Sequence, residues 1–254
     1  MEKFRENGYY VVGSGKILHH NKQELWSEFE HEADYGPVAY KGLRKKGKRG
    51  VAHPDVAKPF SEIGQIDGSF GPFKNISNMV EDGEKITWAY GGSRGYKEFK
   101  YVSEDDRDLT PDEINAQWAE NKINELAKSD NDNPFFLAVG FLRPHTPLIA
   151  PQKYFDMYPL EEIELANILE KDKDDTFFHD EDQFETKERR TRSIESYQNL
   201  IKSYNTKEEA LKRFTQAYLA CVTAVDDNIG QVVNAIDNSK FKDCLLYTSD
   251  AADE

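Results

Sequence analysis

Cysteine is scarce in this sequence. Cys221 and Cys244 are its two examples, and they have neither metal-ligand spacing nor the numbers for a disulfide framework. Long apolar runs are missing as well. No stretch approaches the roughly 18 consecutive apolar residues of a membrane-spanning helix, and residues 1–12 hold no apolar secretory core. Positive charge is in deficit, with 33 Lys and Arg against 47 Asp and Glu and a net charge of −14. That balance argues against a nucleic-acid binder, whose phosphate affinity rests on clustered Lys and Arg. It also requires any anionic ligand to be drawn in by a local positive site against the global field. Internal repeats and low-complexity tracts are absent too. What remains, 38% apolar and 31% charged residues over 254 positions, describes a globular chain. It is long enough to bury a core as one large α/β domain or two small ones.

Three stretches read as regular structure. Phe4–Gly8 suggests a helix end with a glycine stop, followed by a short strand at Tyr9–Val12 and a loop over Gly13–His20. Thr110-Pro-Asp-Glu113 is a capping box with proline at the first helical position, and Ile114, Trp118, Ile123 and Leu126 continue at helical spacing. After Asn133-Pro134 the unbroken apolar run Phe135–Phe141 fits a strand covered on both faces in a parallel sheet. A proline-rich loop, Arg143–Pro151, follows. The strongest helix opens on a second capping box, Thr206 with Glu209, and carries the stripe Leu211, Phe214, Tyr218, Cys221, Val225, Ile229, Val232 and Ile236. Residues 21–105 and 152–204 are rich in charge, glycine and aromatics and have no sustained period. Alternating strand and helix predicts an α/β sheet with long insertions.

Few side-chain constellations carry chemistry. Gly13-Ser-Gly-Lys16 invites a phosphate-loop reading, but the pattern needs a glycine at position 10 and Ser or Thr at position 17, where the chain has Tyr10 and Ile17. The nucleotide reading fails. Lys16 and His19 remain, just beyond the carboxyl end of a predicted strand, where ligands bind in open α/β sheets. They read either as a solvated loop or as a point charge beside a transferable proton. His145, held between Pro144 and Pro147, is either a hydrogen-bonded structural histidine or a functional one on a stiffened loop. Arg143 is a surface charge or a group that binds an anion. Lys41–Arg49 holds six basic residues in nine, a solvated loop or a rim attracting a sulfated or carboxylated glycan. Asp226 and Asp227 lie off the apolar stripe and read as a solvated face, and Cys221 reads as core. His20, His31, His53 and His179 have no supporting context.

The last eleven residues, Cys244–Glu254, depart abruptly in composition and look like read-through translation of a sequencing adapter. Removing Asp250, Asp253 and Glu254 leaves a net charge of −11. The expected organisation is therefore residues 1–243 as natural sequence that is cut, with 244–254 as the scar.

The run Asn133–Pro147, then Pro151–Phe155 and Tyr158–Leu160, resembles the central strand and loop of the iduronate-2-sulfatase branch of the sulfatases. Two further blocks agree in order and spacing: Glu6–Tyr9 leading to Gly15–His19, and Tyr218–Asp226 through Ile229–Val233. The resemblance implies an alkaline-phosphatase-like sheet sandwiched by helices, here incomplete at both ends. It implies hydrolysis of sulfate esters, on sulfated carbohydrate, by a formylglycine nucleophile with calcium. It also implies a periplasmic or extracellular parent protein. By this resemblance Lys16 and His19 match a sulfate-contacting Gly-Lys-x-x-His pair, and His145 matches a later histidine that bonds the sulfate and protonates the leaving oxygen. Arg143 is the accompanying substrate-binding candidate.

The departures bear on activity. The Cys-x-Pro-Ser-Arg nucleophile run is absent, since Cys221 is followed by Val-Thr-Ala. The amino-terminal Asp pair that would bind calcium and the Asp-His pair expected after the last helix are also missing, so the polypeptide is expected to be an inactive fragment. Two alternatives stand beside this reading. One is a phosphodiesterase or phosphonate hydrolase of the same superfamily. The other is a non-catalytic glycan-binding protein using the basic loop with Trp88 and Tyr90.

Overall fold

The computed structural model describes residues 1–19, 22–42, 50–81, 83–91, 97–129, 133–167 and 194–246. The fold is α/β and divides into two compact units. One comprises Met1–Asp34, Leu109–Leu142 and Val225–Glu254, the other Tyr35–Asp108 and Arg143–Ala224. Among the described residues no helix is long and apolar enough to cross a membrane.

The first unit is built on a parallel sheet in the order Phe135–Gly140, Tyr10–Gly15, Glu28–Phe29. Tyr10–Gly15 is the middle strand, and Val11 and Val12 have no exposed surface. The helix Glu2–Glu6 precedes it and ends at Gly8, whose φ of 82° is the left-handed stop that the sequence predicts. The strand runs to Gly15, so Gly13–Gly15 is not the start of a loop. Glycine is needed there for close approach: a Cβ on Gly13 would lie 2.5 Å from the Trp26 ring. Gly15 combines a φ of 88° with a Cβ position 2.0 Å from the Gly140 carbonyl oxygen.

The helix Pro111–Lys128 covers one face of this sheet. Its capping box forms as expected, with Glu113 N–H donating to Thr110 Oγ1 at 3.3 Å and Thr110 N–H donating to Glu113 Oε2 at 2.7 Å. Ala116, Ala119 and Ile123 pack with Leu137 and Val139 and with Val232 and Ala235. Ser14 Oγ donates to Asn115 Oδ1 at 2.8 Å, tying strand to helix inside the core. On the other face Phe136 meets Phe4, with ring centroids 4.7 Å apart. The Phe135–Gly140 strand pairs in parallel as predicted, but Phe135–Val139 are only half-buried, so the cover over the strand is partial. It ends the described strand order and has a neighbour on one side alone.

The second unit holds structure where the sequence shows no period. Gly50–Val51, Val38–Lys41, Glu84–Tyr90 and Val80–Glu81 form an antiparallel sheet in that order, and Lys97–Glu98 also pairs with Glu84–Tyr90. Phe73, Ile76, Trp88 and Phe99 pack on it. A parallel pair, Phe70–Pro72 with Leu148–Ala150, carries a second core of Phe60, Tyr154, Phe155, Ala217 and Cys221.

The long helix Lys207–Asp237 contributes its residues up to Ala224 to the second unit and the rest to the first. Thr206 Oγ1 accepts from Glu209 N–H at 3.0 Å, as the capping signature predicts. The buried face keeps part of the predicted stripe, with Cys221 and Val232 buried and Leu211, Phe214 and Ile236 packed against the cores, and departs from it elsewhere. It runs Ala210, Ala217, Cys221, Ala224, Asn228, Val232 and Ala235, whereas Tyr218 and Ile229 are 46% and 45% exposed. Alanine lets neighbouring elements approach closely, so the small residues face inward and part of the large apolar set faces out.

Candidate functional site

Lys16 follows directly on the carboxyl end of Tyr10–Gly15, and its backbone N–H donates to the Gly140 carbonyl at 3.1 Å. That bond continues the register in which Gly15 lies opposite Gly140. The approach is so close that a Cβ on Gly140 would sit 2.0 Å from the Lys16 carbonyl oxygen. The Lys16 backbone is thus set by two glycines. Lys16 is half-buried, and His19, three residues on, is exposed. Behind them Ser14 Oγ, bonded to Asn115, also accepts from His31 N–H at 3.3 Å, and Gly15 N–H donates to the His31 carbonyl at 2.8 Å. His31 therefore serves through its backbone. The structure brings Lys16 and His19 together as one loop in the first unit.

Arg143 and His145 lie together in a loop of the second unit, a few residues after the Phe135–Gly140 strand. Arg143 is not a surface charge. It is 9% exposed, with Nε donating to the Ile149 carbonyl at 3.0 Å and Nη2 donating to the Gly36 carbonyl at 3.1 Å. A guanidinium holding backbone carbonyls on both sides braces the loop that carries His145. The His145 ring is exposed and meets the Tyr35 ring edge-on, centroids 5.3 Å apart at 80°. Its Nδ1 lies 2.7 Å from the Thr146 carbonyl oxygen. A carbonyl only accepts, so Nδ1 carries the proton and Nε2 is the nitrogen left for a ligand. Thr146 Oγ1 in turn donates to Asp67 Oδ1 at 2.7 Å.

Sequence reasoning missed Tyr35, Thr146 and Asp67 as companions of His145. Thr146 stands beside it in the chain, but Asp67 is 79 residues from Thr146, in a stretch without periodic signal. Trp88, an aromatic of the glycan-binding alternative, is a core residue, 2% exposed with Nε1 donating to the Lys74 carbonyl at 2.9 Å. Tyr90 packs against Phe99. Residues 43–49 of the basic loop lie outside the described residues, as do His20 and His179. Asp226 and Asp227 are exposed and Cys221 is fully buried, both as expected. A cleft of ≈ 450 Å3 opens beyond Pro72, lined among others by Asp55, Phe155, Tyr204, Arg213 and Gln216, and none of the four expected site residues lines it.

A family model described as Sulfatase matches residues 67–253. The chain belongs to the sulfatase family. It is 30% identical over 241 residues to a sulfatase of Formosa agariphila, covering 94% of this chain and 38% of that one. An arylsulfatase of Clostridium perfringens is 32% identical over 141 residues, covering 54% of this chain and 26% of its own. Iduronate 2-sulfatase of Mus musculus is 25% identical over 252 residues, covering 97% of this chain and 38% of its own. The chain thus spans well under half the length of these relatives. Among solved structures, one described as Ps i-CgsB in complex with k-i-k-neocarrahexaose covers 93% of this chain and 35% of its own, at 17% identity and a TM-score of 0.35. Sulfatases as a family use a metal ion. Among the described residues no group of three or more His, Cys, Asp or Glu side chains is placed to hold an ion.

Proposed function

We propose that this chain is the central part of a sulfatase catalytic domain whose whole protein hydrolyses sulfate esters. In this reading Lys16, His19 and His145 meet one sulfate group. The observation that carries it is the sulfatase family match over residues 67–253, together with the Gly15–His19 and Asn133–Pro147 runs in the order that the family resemblance requires. The ammonium of Lys16 supplies a fixed positive charge to a sulfate oxygen, which an acidic chain needs locally. His145, with Nδ1–H engaged, presents Nε2, which donates to the sulfate or to the leaving oxygen when the ring is doubly protonated. Arg143, by its carbonyl partners, contributes to substrate binding chiefly by holding that loop.

A formylglycine nucleophile and calcium belong to the proposed whole protein. This chain has no Cys-x-Pro-Ser-Arg run, and the described residues do not fit a metal, so no step is assigned to either group and the chain alone is proposed to be inactive. Sulfated carbohydrate is the proposed substrate class, supported by matches to two mammalian iduronate 2-sulfatases over 97% of the chain. A periplasmic or extracellular setting for the whole protein is proposed on the family resemblance.

The test is a titration of the isotope-labelled chain with sodium sulfate against chloride at matched ionic strength. The Lys16 ammonium and His145 ring signals are expected to move along one saturable curve, and Lys16→Ala to weaken it about tenfold, the loss of one charge-assisted contact. Signals that move independently, or not at all, would refute the shared sulfate site.

A further inference from the structure

The His145 loop contains a device that the histidine alone does not require. Thr146 offers the ring two different groups, a carbonyl oxygen 2.7 Å from Nδ1 and a hydroxyl whose Oγ1 is 3.4 Å from the same atom. The two favour opposite protonation patterns. The carbonyl needs a proton on Nδ1, whereas a hydroxyl turned to donate toward the ring needs Nδ1 bare and places the proton on Nε2. Asp67 resolves the competition. Its Oδ1 lies 2.7 Å from Thr146 Oγ1, and because an ionised carboxylate only accepts, the hydroxyl hydrogen points at Asp67 and away from the ring. What Oγ1 then shows Nδ1 is a lone pair, which agrees with the carbonyl.

We propose that Asp67 is a positioning residue for His145, acting through the Thr146 hydroxyl to keep the neutral ring protonated on Nδ1 and Nε2 outward as the working nitrogen. The edge contact with Tyr35 limits rotation of the ring about this arrangement. No proton leaves Asp67 or Thr146, since the carboxylate acts by occupying a donor that would otherwise reverse the ring. The consequence for chemistry rests on the sulfatase reading, in which Nε2 faces the sulfate. The protonation pattern itself does not rest on it, and it is read without any anion present.

The experiment is long-range 1H–15N correlation of the His145 ring in the 15N-labelled full chain, at a pH where the ring is neutral. Wild type is expected to show a pyrrole-type Nδ1 and a pyridine-type Nε2. Asp67→Ala frees the hydroxyl, and the two resonances are expected to move toward each other as the Nε2-protonated form gains. Thr146→Val added to Asp67→Ala removes the competing donor and restores the wild-type pattern, a rescue that a merely structural part for Asp67 would not give. Asp67 is exposed, and Thr146, half-buried, changes to a residue of nearly the same size, so neither substitution opens a core. An unchanged pattern in Asp67→Ala would overturn the proposal. So would a double variant that stays shifted, or a wild-type ring protonated on Nε2. Failure of the sulfate titration with the tautomer result intact would instead count against the sulfate site alone.

Discussion

His53 and His145 show how far one residue type can diverge. His145 stands in solvent, whereas the His53 side chain has no exposed surface. Its Nε2–H donates to the Pro72 carbonyl at 2.8 Å and its bare Nδ1 accepts from Asp55 N–H at 3.1 Å, so the neutral ring uses both nitrogens. Gly71 lies so near that a Cβ there would come within 2.7 Å of the ring. Burial pushes the His53 pKa down to about 4, with Lys74 pushing the same way and the Pro72 carbonyl and the Asp55 carboxylate opposing. Trp88 is the aromatic neighbour. A folded-state pKa below the unfolded value of about 6.5 means that the unfolded chain takes up the proton first. The stability is therefore complete above about pH 6.5, declines as the pH falls toward 4, and levels off below. The span is about 3 kcal/mol. Urea midpoints of wild type are expected to fall between pH 7 and pH 4.5. His53→Gln, less stable at pH 7 because it loses the fitted ring, should lose less over that range. Parallel pH profiles for the two proteins would rule out His53 as the source.

At the scale of elements, what the sequence discloses is local. Thr110 with Glu113 and Thr206 with Glu209 start helices because a cap is a hydrogen-bond signature written within four residues. The apolar run Phe135–Gly140 is a parallel strand, and the prolines around His145 do mark its loop. Facing and burial depend on partners far along the chain, and there the reading fails. Of the predicted stripe on the long helix, Cys221 and Val232 are buried but Tyr218 and Ile229 face out, while Ala217, Ala220 and Ala224 face in, because size alone does not show where another element comes close. Trp88 and Arg143 are buried for the same kind of reason, through contacts with Lys74 and Gly36 that no spacing rule reveals. The short strands between Val38 and Glu98 lack length for a period to show. The two candidate faces of the long helix make a direct test. Ala224→Leu should cost about 1–3 kcal/mol by overpacking a closed contact. Ile229→Ala, on the exposed side, should stay within about 1 kcal/mol of wild type. Equal losses in chemical denaturation would return Ile229 to the core.

For the whole molecule the question is how a chain of net charge −14 that spans 38% of a related sulfatase would behave toward a sulfate ester. Binding and turnover separate here. In the proposed site, a positive charge at Lys16 and a proton donor at His145 would give weak anion binding, because such contacts act locally and within a Debye length of about 10 Å. Turnover needs a nucleophile and a group to stabilise the charge that develops on the transferring sulfate. Cys221 has no exposed surface and no motif around it, and the described residues form no metal-binding cluster. Hydrolysis of an aryl sulfate by the purified chain is therefore expected to match the buffer rate, with or without added calcium, while sulfate still perturbs Lys16 and His145. The measurement is release of the phenol at substrate concentrations well above those that saturate the sulfate shift. Calcium-independent turnover that His145→Ala abolishes would mean that the chain carries a nucleophile of its own, and the division between binding here and chemistry elsewhere would fall.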